Sequence, residues 1–122
     1  MQEVVHQNDQ FNSKDLFDAF KIQLAKDFGQ SNFDSEFIMA LEPDYVRIHE
    51  KIVKQLQRSE KRADSHLMQL LNRIDISETQ LKKHLHEHVN ENRLATIADL
   101  IIKRVLQKIV IKRYYKKNEH GQ

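Results

Sequence analysis

The chain has no cysteine and no tryptophan, a single proline at Pro43, and glycine only at Gly29 and Gly121. Without cysteine there is no disulfide framework, no thiolate metal site and no thiol nucleophile, which fits a reducing compartment, and the cytoplasm is the expected location. Residues 44 to 120 contain neither Gly nor Pro. Turns between strands usually require those residues and helix interiors exclude them, so an all-α protein is expected. There is also no Gly-rich phosphate loop and no nucleophile-elbow serine. His49 with Glu50, and Asp64 with His66, set acid close to imidazole in the sequence, but neighbouring positions on a helix point about 100° apart. Neither enzyme activity nor a cofactor is expected. The longest apolar run, Phe37 to Leu41, falls far short of the ~20 residues of a bilayer span. The first ten residues offer neither a basic nor an apolar leader region, so no secretory signal and no membrane partner are expected.

The 122 residues suit one domain. Residues 1–10 are polar and aperiodic and read as a mobile N-terminal arm, residues 11–117 as a single helical domain, and residues 118–122 as a disordered tail. The net charge of +2 hides an asymmetry: residues 1–61 carry 8 basic and 11 acidic side chains, and residues 62–122 carry 12 and 7. Lys103, Arg104, Lys108, Lys112, Arg113, Lys116 and Lys117 follow one another with no acid between them. Such a run suits a polyanion, and it equally suits the negative end of its own helix dipole.

Hydrophobic spacing divides the domain into four or five helices. Asn12 as N-cap, Asp15 at N3, and Phe11 facing Leu16 predict a helix start. Leu16, Phe17, Phe20, Leu24 and Phe28 then mark a core stripe that Gly29 would end in a left-handed conformation. A short helix is expected from Phe33 to Leu41, and Pro43 suits the first turn of the next. From Tyr45 through Ile48, Ile52, Leu56, Ser59, Ala63, Leu67 and Leu70 to Ile74, steps of three and four alternate. They allow one helix over 43–74, or two interrupted near Arg58 to Asp64. Beyond Ser77, Leu81, Leu85 and Val89 continue a stripe that Asn90 can interrupt as a new cap. Leu94, Ala98, Ile101, Val105 and Ile109, widened by Ile97, Ile102, Leu106 and Val110, form an apolar face too broad for one neighbour. The expected architecture is a bundle whose main antiparallel pair is 43–74 against 78–115, with a homodimer suggested by the face at 94–110.

Ser77 carries the sharpest local signal. Its hydroxyl can accept from the Gln80 amide while the Gln80 side chain returns to the Ser77 N–H, and Ile76 can pack on Leu81 across the joint. Leu70, Ile74, Ile76, Leu81 and Leu85 fall on apolar positions of a helix-turn-helix. Residues 70–85 resemble that DNA-binding motif as found in the response-regulator class of bacterial transcription factors. They depart from it at Leu71, where the motif has a small residue, and at Asp75, where Gly or Asn is usual. The resemblance implies that Ser77, Glu78, Thr79, Lys82, Lys83 and His86 approach the major groove, with the lysines on phosphate. Arg73 and the basic C-terminal helix, including Arg104, Lys108 and Lys112, would add sequence-independent attraction. The rival expectation is a helical adaptor that binds another protein.

His84, Glu87 and His88 form an H-x-x-E-H pattern, and His84 and His88, four apart, can share one Zn²⁺. A third ligand is needed, and Glu91, one turn beyond His88, or His66 could supply it. The pattern by itself does not establish a metal site, so none is assigned; His84, His88 and Glu91 are its candidate ligands.

Overall fold

A computed structural model describes residues 11, 13–61 and 66–120. The chain forms α1 (Lys14–Gln30), a 3₁₀ turn (Glu36–Ala40), α2 (Tyr45–Glu60), α3 (Leu67–Arg73), α4 (Glu78–Glu87) and α5 (Arg93–His120). No strand occurs among the described residues, and the expected all-α bundle is what forms. Residues 1–10, expected as an arm, lie outside the described residues, as do 121–122 of the expected tail. α5 itself continues to His120, past the expected domain end at 117.

α5 is the axis of the bundle. Leu94, Ile97, Ala98, Ile101, Ile102, Val105, Leu106 and Ile109 are all buried. α1, α2 and α4 each pack on it. The α2 contacts run antiparallel, from Tyr45 with Asp99 to His49 with Ala95. The α1 contacts do the same, from Asp15 with Arg113 to Asp27 with Lys108. Each buried Leu or Ile contributes about 1.5–3 kcal/mol relative to exposure, so this face is the main hydrophobic term. Because three helices of the same chain cover residues 94–109, that stretch no longer calls for a second copy. The Phe stripe of α1 is core as expected: Phe17, Phe20, Leu24 and Phe28 are buried, and the Phe11 ring lies 5.7 Å from Phe17 and 5.2 Å from Phe20.

Several boundaries differ from the sequence expectation. Ser13 caps α1, its hydroxyl accepting from the Leu16 N–H at 3.3 Å, and Asn12, the expected cap, lies outside the described residues. Gly29 stays inside α1, and Asn32 takes the left-handed conformation with φ 66°. The Phe33 N–H returns to the Phe28 carbonyl at 3.0 Å and the Asn32 N–H to that of Gly29 at 3.4 Å. This is a Schellman closure, sealed by the Phe28 and Phe33 rings at 5.4 Å. The short helix expected over 33–41 is a 3₁₀ turn whose entry is fixed by the Asp34 carboxylate accepting from the Glu36 N–H. Pro43 stands before the Asp44 N-cap of α2 rather than inside its first turn.

The single helix over 43–74 does not form. α2 stops at Glu60 and α3 starts at Leu67, because between Leu56 and Leu67 the stripe offers only Ser59 and Ala63 to bury. The stretch 78–115 is likewise divided. Asn92, not Asn90, caps α5, its side-chain oxygen accepting from the N–H groups of Leu94 and Ala95 at 2.9 and 3.2 Å. Val89, the last residue of the expected stripe, is exposed.

α1 meets α5 across a polar seam set in this core. Asp27, 2% exposed, stands 3.6 Å from the Lys108 ammonium and accepts from Gln23 at 3.1 Å. Gln23 in turn accepts from Lys112 at 2.8 Å, and Lys108 donates to the Arg73 carbonyl at 3.3 Å, tying the end of α3 to the seam. Lys108→Ala strands a buried carboxylate, and a loss of about 3 kcal/mol in urea unfolding is expected. Asp27→Leu combined with Lys108→Met removes both charges and should cost much less, so equal losses from the two variants would refute an energetic role for the pair.

Candidate functional site

The corner between α3 and α4 is built by two backbone devices that meet at residues 74–77. At the end of α3, Asp75 adopts φ 67°, the Ile76 N–H reaches the Leu71 carbonyl at 2.8 Å, and the Asp75 N–H reaches that of Asn72 at 3.1 Å. This is the same Schellman closure as at Asn32, with Asp75 in the left-handed position. At the start of α4, the Gln80 N–H donates to the Ser77 hydroxyl and the Ser77 N–H to the Gln80 side chain, both at 3.1 Å. The expected capping box is therefore formed. Seven residues of helix, a four-residue corner and ten residues of helix follow one another over 67–87.

Burial sorts the two sides of this unit. Leu70, Leu71, Ile74, Ile76 and Leu81 are buried and Leu85 packs against the same core. Leu71, the bulky departure from the motif, is wholly enclosed. Ser77, Glu78, Thr79, Lys82, Lys83 and His86 are all exposed. The basic residues of α5 behave differently. Lys108 is held by Asp27 and the Arg73 carbonyl, and Lys112 by Gln23. Arg104 is half-buried and donates to Gln107 at 3.2 Å, and Arg113 donates to the Asp15 carbonyl at 2.7 Å. Lys108 and Arg104 are thus half-buried, Lys112 and Arg113 are engaged by α1 while staying exposed, and Lys82, Lys83, Arg73 and Lys116 are exposed as well.

On the other flank of α4, facing α5, the histidines form a second cluster. The His84 and His88 rings lie 4.7 Å apart, and one ligand atom from each of His84, Glu87 and His88 lies within 4.8 Å of the others. Glu91 is 3.4 Å from Nδ1 of His88, and Asp99 is 3.9 Å from Nε2 of His84. That Nε2 atom is buried with no hydrogen-bond partner. Asp99 is the hub behind the cluster, accepting from the Tyr45 hydroxyl and paired with Lys103 at 2.8 Å. His49 stacks on Tyr45 and donates from Nε2 to the Ala95 carbonyl at 2.7 Å. Sequence reasoning missed Asp99 and Tyr45, which stand 54 positions apart. The only local signal was an acid set amid Ile97, Ala98, Leu100 and Ile101.

No family model matches the chain, and comparison with curated proteins and with solved structures finds no match either.

The left-handed corner gives a direct test of the local geometry. Asp75→Gly should leave thermal stability unchanged or raise it slightly, whereas a β-branched Asp75→Val should lower it by about 1–2 kcal/mol. Tolerance of Val in a melting experiment would contradict the φ at this position.

Proposed function

We propose that this chain is a small non-enzymatic regulator that binds DNA through α3, the corner at 74–77 and α4. The observation that carries the reading is the sorting of α4. Its apolar residues are committed to the core while Ser77, Thr79, Lys82, Lys83 and His86 stand exposed on a helix fixed at its start by a capping box. A second helix presented in this way, with polar residues near its N-terminus, is what major-groove reading requires. Asp75 supports the same reading, because it holds the left-handed conformation at the position where the resembling motif usually has Gly or Asn. Lys82 and Lys83 contact phosphate, Ser77, Thr79 and His86 lie toward base edges, and Glu78 sits beside them as a hydrogen-bond acceptor. Lys108 acts from behind, holding the corner through the Arg73 carbonyl rather than touching DNA.

The test is fluorescence anisotropy of a labelled duplex over a salt series. Binding should weaken linearly in log–log form, and Lys82→Glu with Lys83→Glu should lower affinity at least about tenfold and flatten the slope by roughly 2. Binding indifferent to salt and to the double variant rules out this interface.

A second reading, an interaction adaptor or homodimer, is favoured by one observation. Val110, Ile111, Tyr114 and Tyr115 are exposed along one side of α5, with both tyrosines more than 60% accessible. Exposed aromatic and aliphatic side chains in sequence along a helix are typical of a protein contact. Sedimentation velocity should then detect a dimer that Tyr114→Ser with Tyr115→Ser abolishes. The mass of one chain at every concentration removes the homodimer form.

A further inference from the structure

We propose that His84, Glu87 and His88 bind a Zn²⁺ ion at the junction of α4 and α5, a site that does not depend on the DNA reading. The donor set is two imidazoles and one carboxylate, the class that selects zinc among divalent cations over oxygen-seeking Mg²⁺ or Ca²⁺. Tetrahedral zinc with bonds near 2.0–2.1 Å needs ligand atoms about 3.3 Å apart. The three atoms already lie within 4.8 Å of one another, and Glu87 is exposed and able to swing inward.

The surroundings are those that metal-bound histidines use. Such an imidazole ligates through one nitrogen and turns the other toward a carboxylate that orients the ring. Each histidine here has that carboxylate: Asp99 at 3.9 Å from Nε2 of His84, and Glu91 at 3.4 Å from Nδ1 of His88. Nδ1 of His84 and Nε2 of His88 are then the ligating atoms, and water completes the shell. Glu91 thus moves from candidate ligand to orienting group, and Glu87 takes its place. Asp99 is itself held by Tyr45 and Lys103, so it is a fixed backstop rather than a mobile side chain. The buried, unpartnered Nε2 of His84 gains a proton to share with Asp99 when the other ring nitrogen takes the metal, which resolves a polar atom otherwise left unsatisfied. The ion lies on the flank of α4 away from Lys82 and His86, and it would fix the end of α4 against α5, where the chain passes through residues 88–92.

The experiment is calorimetric titration of the full chain with zinc chloride in a non-chelating buffer, paired with melting of the same samples. One saturable site per chain is expected, with a rise in Tm on zinc addition and no comparable effect of magnesium chloride. His88→Ala should weaken binding at least tenfold and erase the Tm shift. Glu87→Gln, at a solvent-exposed position that does not threaten folding, should weaken it severalfold. His86→Ala removes a histidine on the far side of α4 and should leave both readouts unchanged. Acidification should weaken binding, because protons compete for the same imidazole nitrogens. Absence of a saturable heat overturns the site, as does binding that survives Glu87→Gln and His88→Ala, or that falls equally in His86→Ala.

Discussion

α5 buries its side chains at residues 94, 97, 98, 101, 102, 105, 106 and 109, which cover more of its circumference than a single neighbouring helix can shield. Three helices therefore have to gather around it, and the order of the chain decides how. α1 and α2 lie antiparallel to it, and α4 closes over its first half. α3 is too short to stand alone and is held from two directions, by α1 through packing and by Lys108 through the Arg73 carbonyl. The corner that presents α4 is consequently not an independent motif but a projection of the central helix.

The corner itself rests on local chemistry. A helix must end with its last carbonyls satisfied and the next must begin with its first N–H groups satisfied. Residues 71–80 do both within a few positions, using Asp75 in a left-handed conformation and the reciprocal Ser77–Gln80 pair. The chain has almost no glycine, and at both Schellman closures a short polar residue, Asn32 or Asp75, takes the role glycine usually fills. Gly29, where a left-handed residue was expected, lies one turn too early to be used in that way.

Charge along the sequence and charge at the surface are different quantities in this protein. The basic run of α5 looks uniform when read in order, but its helix is the one that α1, α2 and α4 pack against. Lys108, Lys112 and Arg113 are drawn onto Asp27, Gln23 and the Asp15 carbonyl of α1. The two lysines of α4, unremarkable in the sequence beside that run, face solvent on a helix fixed at its start by a capping box. The same packing brings Asp99 up to His84, joining an acid of α5 to a histidine of α4 and to Tyr45 of α2.

The sequence by itself determined the helical class, the Phe-rich and Ile-rich core stripes, the corner at Ser77 and the spacing of His84 with Glu87 and His88. Each of these is written in interactions among residues within one or two turns, where 3.6-residue periodicity and capping geometry leave little freedom. Only the tertiary structure decided that the long stripe from Tyr45 to Ile74 is broken between Glu60 and Leu67, and that Asn92 rather than Asn90 opens α5. It also decided that the broad face of α5 is covered by its own chain, that Lys108 is held by Asp27 of α1, and that Asp99 stands behind the histidines. Those outcomes depend on residues tens of positions apart competing to cover one apolar surface, and no local pattern encodes which of them reaches it.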